Sequence, residues 1–293
     1  MRVLAAVPDL LAELRAEPEG LVLLDVRWAL GDDRGRERYL ESHLPGAVYV
    51  DLDTELSGPA TPTEGRHPLP SVQALQAAAR RWGVSAGSRV LVYDAGPGTA
   101  AARAWWLLRW AGVSAVLLLD GGLAAWTAAG GPVEAGDVVP APGDVVLTGG
   151  EMPVLDADAA AALPDSGGVL LDARAGERFR GEVEPVDPRA GHVPGAVSTP
   201  STDLLDADGR FLPAAVLTER FAALGARPGA SVGVYCGSGV FAAHEVAALA
   251  VAGVVVAVVG GPGPPGGHRA LSRAERPGSQ VDAEAPAAVS ASS

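Results

Sequence analysis

Cysteine is almost absent: the chain of 293 residues has one, at position 236. One thiol excludes an internal disulfide and is too few for a cysteine-based zinc site. It leaves two readings, a small core hydrophobe or a reactive nucleophile. Blocks of Lys and Arg are also missing, and the formal net charge is −13. A nucleic-acid-binding face is therefore not expected, nor is attraction to an anionic membrane. No stretch reaches the roughly 18 uncharged apolar residues of a membrane span; the longest apolar run, near Ala247–Val259, is interrupted by Gly253. The N-terminal stretch is broken by Pro8, Asp9 and Glu13 and makes a poor signal peptide. These features predict a soluble, cytoplasmic protein.

An internal repeat is plainly present. LVLLDVR at 21–27 is echoed by VLLDAR at 169–174, SHLPGAV at 42–48 by GHVPGAV at 191–197, and RWGVSAGSRVLVYD at 81–94 by LGARPGASVGVYC at 224–236. Three matches in the same order imply duplicated domains; the period is too long for a solenoid. The expected organisation is an N-terminal domain over 1–135, a Pro/Gly-rich linker over 136–150, a second domain over 151–278 and a mobile Ala/Ser-rich tail over 279–293. Short aliphatic runs read as buried strands at 21–25, 90–93, 115–119, 169–171, 232–235 and 254–259. Helix-forming segments fall at 72–82, 99–110, 123–129, 216–224 and 241–251. The alternation predicts an α/β fold with a mostly parallel sheet in each half, whose ligands gather at the carboxyl ends of the strands.

Cys236 stands at such an end. The segment SVGVYCGSGVFAAHEV (231–246) reads as strand, tight loop and helix, with the cysteine directly after the strand. Gly237 and Gly239 allow close backbone approach, and with Ser238 and Val240 they would turn main-chain N–H groups and the positive helix end toward the sulfur. Such surroundings favour the thiolate, the nucleophilic form of a cysteine. In the first half Asp94 takes the equivalent place, and a carboxylate cannot carry sulfur. One half is therefore expected to be active and the other supporting. A structural cysteine has no need of this glycine-rich setting, so the reactive reading is the better one.

With these residues in view, the chain resembles the tandem rhodanese family, which includes thiosulfate and 3-mercaptopyruvate sulfurtransferases. Tyr39-x3-His43-Leu44-Pro45-Gly46-Ala47 matches the family's N-terminal signature, and Cys236-Gly237-Ser238-Gly239-Val240 is similar to the loop of the mercaptopyruvate branch. The resemblance implies two tandem rhodanese-like domains, each a mostly parallel sheet flanked by helices, with the active site in the second. It implies a Cys236 persulfide that passes sulfur from 3-mercaptopyruvate, or alternatively thiosulfate, to cyanide or a thiol. A thioredoxin-like reductant is a further candidate partner, and the chemistry requires no metal or organic cofactor. By the same resemblance Arg178 and Arg189 would hold the donor's anionic group, a role that suits a guanidinium. Ser238, His67 and Asp53 would form a proton relay beside the cysteine. His43 and His192 recur in both halves, as do Asp25 and Asp172, and are expected to be structural. Trp105, Trp106 and Trp110 lie at helical spacing and are expected in the core.

Two departures from the family pattern stand out. Phe241 replaces the usual Thr, removing a hydroxyl that could cap the helix. The Gly/Pro-rich run at 260–267 replaces a segment that the first half keeps as Leu119–Trp126, and it cannot form a regular helix. A catalytically impaired binding module is therefore a second reading. A phosphatase or arsenate reductase with the same cysteine-loop layout is a third, weakened because no arginine lies within 236–241 to close the cradle.

Overall fold

The computed structural model describes residues 2–16, 19–60, 65–187 and 190–259. Arg189, the run at 260–267 and the tail at 279–293 lie outside the described residues. The first half runs β1 (Leu4–Ala5), α1 (Val7–Arg15), β2 (Leu21–Val26), α2 (Gly35–Glu41), β3 (Val48–Val50), α3 (Leu52–Glu55), α4 (Val72–Arg81), β4 (Arg89–Tyr93), α5 (Thr99–Trp110), β5 (Val116–Leu119) and α6 (Gly122–Ala128). The second runs β6 (Val154–Leu155), α7 (Ala157–Ala162), β7 (Val169–Asp172), α8 (Gly176–Phe179), β8 (Val197–Ser198), a 3-10 turn (Ser201–Leu204), α9 (Ala214–Ala223), β9 (Val232–Tyr235), α10 (Val240–Val251) and β10 (Ala257–Val259).

Each half builds a five-stranded sheet whose strand pairs are all parallel. The strand orders are the same, β1-β5-β4-β2-β3 and β6-β10-β9-β7-β8. Registers match as well: Asp25 pairs with Tyr93 across β2 and β4, and Asp172 with Tyr235 across β7 and β9. Asp94 and Cys236 thus leave their sheets at equivalent central points. Strand β10 is shorter than the apolar run suggests, because Gly253 (φ +78°) ends α10 and Val254–Val256 form the connection. Buried Val254 and Val256 are apolar for packing and not for pairing.

The repeated motifs are structural hinges in both halves. The Nδ1 atoms of His43 and His192 lie 2.8 Å from the carbonyls of Tyr39 and Phe179, and each ring stacks on that same aromatic residue. Tyr93 and Tyr235 hydroxyls accept the backbone N–H of Leu44 and Val193. Asp25 and Asp172 form buried ion pairs with Arg27 and Arg174. Removing one partner of such a pair would leave an uncompensated buried charge.

Trp105 and Trp106 are fully buried, and Trp110 packs against the same core. That core continues from one half into the other, because α5 packs directly on α10. Ala100, Ala101 and Ala104 on one helix and Ala242, Ala243 and Ala247 on the other keep side chains small enough for close approach. The N-terminus of each helix is thereby carried toward the other half. The stretch expected as a linker does not hang free. Val145 and Leu147 are buried, and the backbone N–H groups of Gly143, Val145 and Thr148 bond to carbonyls of Arg80, Val84 and Ala111.

Candidate active site

Helices in this protein that begin with an ordinary cap use Ser or Asp: Ser71 accepts from Ala74 N, Asp51 from Thr54 N and Asp156 from Ala159 N. α5 and α10 begin differently. Each starts at a glycine in the left-handed region, Gly98 (φ +85°) and Gly239 (φ +81°), with no side-chain cap. Their first-turn N–H groups are left for a group at the end of the preceding strand.

In the second half that group is Cys236. Gly239 N–H donates to Sγ at 3.0 Å and Ser238 N–H at 3.4 Å. The side chain is half-buried. In the first half Asp94 fills the same cradle with its own carboxylate. Oδ1 accepts from Gly96 N and Gly98 N, and Oδ2 from Ala100 N and Ala101 N, all at 2.9–3.1 Å. Burial pushes that carboxyl up, and the four amide donors pull it back. Asp94 thus fills the cradle with a carboxyl group of the chain itself, and its geometry displays the donors the cradle offers.

The inter-domain contact brings Arg66 and Arg103 of the first half to the cysteine loop. Asp53 Oδ1 lies 2.9 Å from His67 Nε2 and also accepts from Trp28 Nε1 at 3.1 Å. Burial pushes His67 below its ordinary value, and Asp53 opposes the shift. The buried Arg103, on α5, donates from Nη2 to the carbonyls of Leu56, His67 and Pro68. Its Nη1 would lie 2.9 Å from a Cβ placed on Gly239. Burial pushes the Arg103 guanidinium down to about 10, opposed by the charge of Cys236, so it remains a cation at neutral pH. One guanidinium therefore ties the segment that carries His67 to the loop that carries Cys236.

Ser238 contributes its backbone N–H to the sulfur. Val240 is fully buried at the start of α10. A Cβ on Gly237 would lie 2.6 Å from Arg66 Nη2 and 2.7 Å from Asp187 Oδ2. Arg178 bonds Glu184 from Nε and Nη2 and Asp187 from Nη2. Phe241, which lacks the capping hydroxyl, turns its ring onto the shared core. Arg103 and Arg66 were not legible as site residues, because neither belongs to the cysteine loop or to a motif that carries the family resemblance. The only signal in the sequence was Arg66 standing next to His67.

Comparison with known proteins agrees with this layout. Residues 7–129 and 156–261 match the rhodanese-like domain family. A Mycobacterium tuberculosis protein named as a thiosulfate sulfurtransferase, SseB, is 51% identical over 237 residues, covering 79% of this chain and 82% of its own. A Pseudomonas aeruginosa protein named as a 3-mercaptopyruvate sulfurtransferase is 49% identical over 248 residues, covering 83% and 87%. The crystal structure of SseA from Escherichia coli, described as a 3-mercaptopyruvate sulfotransferase, superposes with a TM-score of 0.78 at 32% identity, covering 88% of this chain and 98% of that one. The chain, with its two parallel-sheet domains and one cysteine loop, belongs to the rhodanese family and is a tandem-domain sulfurtransferase.

Proposed function

We propose that this protein transfers a sulfane sulfur from a small anionic donor to a thiophilic acceptor through a persulfide on Cys236. The observation that carries this reading is the seating of Sγ between Gly239 N–H and Ser238 N–H, at the join of a central strand and a helix. The same donors that hold a thiolate can hold a terminal persulfide sulfur.

3-Mercaptopyruvate is the favoured donor. The Cys236 thiolate attacks the donor sulfur, a sulfur–sulfur bond forms, and the carbon–sulfur bond breaks. The electron pair leaves as pyruvate enolate, which takes a proton to become pyruvate. The His67–Asp53 pair, with Ser238, is suited to that proton delivery. With thiosulfate the same attack expels sulfite, and no proton is needed. Cyanide then attacks the outer sulfur, thiocyanate leaves and the thiolate returns. A thiol acceptor becomes a persulfide in the same way, and a thioredoxin-like dithiol is a candidate acceptor. Relatives at 49–51% identity carry the names of both donor classes, which supports the pair without choosing between them.

A panel of the two donors with cyanide, read as thiocyanate, tests this reading. Turnover with at least one donor, abolished by Cys236→Ser, is expected. Equal and negligible thiocyanate from wild type and Cys236→Ser with both donors would leave a non-catalytic binding module in its place.

A further inference from the structure

The charges around the cysteine loop are unevenly satisfied. Arg178 is committed to Glu184 and Asp187, and Glu184 is itself fixed by the backbone N–H groups of Val186 and Asp187. Glu184 has 5% of its side chain exposed and Asp187 22%, so Asp187 is the more accessible of the two carboxylates. Asp187 spans two cations, with Oδ2 2.7 Å from Arg178 Nη2 and Oδ1 3.4 Å from Arg66 Nη2. Arg66 belongs to the first half and rests directly against Gly237 of the cysteine loop. Its Nε and Nη1 are buried and have no hydrogen-bond partner among the described residues. Buried donors of a guanidinium left unpaired are costly, and a cation in this position invites an anion.

We infer that Arg66, supplied by the half without a nucleophile, binds the anionic group of the sulfur donor, and that Asp187 holds the place of that anion until the donor arrives. The inference rests on the reading that Cys236 attacks an anionic donor, and it adds the residue that selects for the charge. A donor carboxylate or sulfonate meets the guanidinium at Arg66 Nη2 and takes over the long 3.4 Å contact of Asp187. Asp187 is thus a competitor for the donor's charge, and Arg66 the group that discriminates charged donors from neutral ones.

Alkylation of Cys236 reads this directly, without any sulfur transfer. Iodoacetate carries a carboxylate and iodoacetamide does not, so the ratio of their rate constants measures anion selection at the loop. The ratio is expected to fall by about tenfold in Arg66→Met, the size of one lost charge-assisted hydrogen bond, and to be largely restored in Arg66→Lys. Asp187→Asn is expected to raise it. An unchanged ratio in Arg66→Met, or a fall in Asp187→Asn, overturns the inference. KM values in Arg66→Met then separate the two anions, rising for 3-mercaptopyruvate if the carboxylate is bound and for thiosulfate if the sulfonate is. An absence of turnover with either donor, together with the expected alkylation ratios, would refute the proposed reaction and leave the anion site standing.

Discussion

Arg103 and His244 hold the same position in two helices, the fifth residue of α5 and the fifth of α10, and each reaches the glycine that opens the other helix. Arg103 meets Gly239, at the loop of Cys236; His244 meets Gly98, at the loop of Asp94, with ring atoms 3.6 Å from a Cβ placed there. The active loop thus receives a cation from across the interface. The loop already filled by a carboxylate receives an imidazole that burial pushes down to about 4 and keeps neutral.

Arg103→Met is expected to slow sulfur loading by about ten- to a hundredfold, the scale of losing one preorganised stabilising group. Arg103→Lys should recover part of the rate by restoring charge without the fork that holds three carbonyls. Stopped-flow loading with a saturating donor checks both. Equal rates in Met and Lys variants would make the role of Arg103 one of packing alone.

Asp94→Ala removes the acceptor for four backbone N–H groups in the buried cradle. A loss of about 2–4 kcal/mol in unfolding free energy is expected, measured by urea denaturation. A variant as stable as the wild type would mean that water serves those amides equally well.

Much of this arrangement could be read from the chain itself, and the reason is the duplication. Matching Tyr93-Asp94 to Tyr235-Cys236 put one nucleophile and one carboxylate at equivalent strand ends, because short aliphatic strands and their turns are locally encoded. Asp53 and His67 came from family resemblance, and they lie 2.9 Å apart. Arg103, Arg66 and His244 were not legible as site neighbours. Each reaches the opposite half, and the packing of α5 on α10 that brings Arg103 and His244 there is written in small residues spread over both helices. Arg103 and His244 sit inside helical stretches where an arginine or histidine signals nothing by itself. Phe241 looked like a lost cap, yet the cap of α10 is Gly239, and the ring serves the core.

His244 should make the fold sensitive to acid. It is fully buried and stacks on Phe211, and a hydrogen bond with the Pro97 backbone opposes the effect of burial only in part. Its folded value of about 4 lies below the ordinary 6.5, so the unfolded chain takes up the proton first. Stability is lost as pH falls from about 6.5 toward 4, and the His244 share between pH 7 and pH 5 is about 2 kcal/mol. Comparing wild type with His244→Leu at the two pH values isolates that share. An identical pH dependence in the two proteins would contradict the assignment.

Glu245, next along α10, is fully buried, and neither carboxyl oxygen has a hydrogen-bond partner among the described residues. Burial raises it well above the ordinary carboxyl range, and nearby Asp172 adds to the shift. Glu245→Met should therefore stabilise the protein, by about 1–3 kcal/mol. Thermal unfolding of the two proteins decides the sign; a lower midpoint in the variant would show that the acid has a partner of structural value.

Everything in the proposed reaction passes through one covalent state of Cys236. Intact mass after brief exposure to 3-mercaptopyruvate or thiosulfate measures it most directly. One added sulfur atom is predicted on the wild-type chain, none on Cys236→Ser, and its disappearance on adding cyanide. A wild-type mass that gains nothing from either donor, or a gain that survives in Cys236→Ser, would contradict the account.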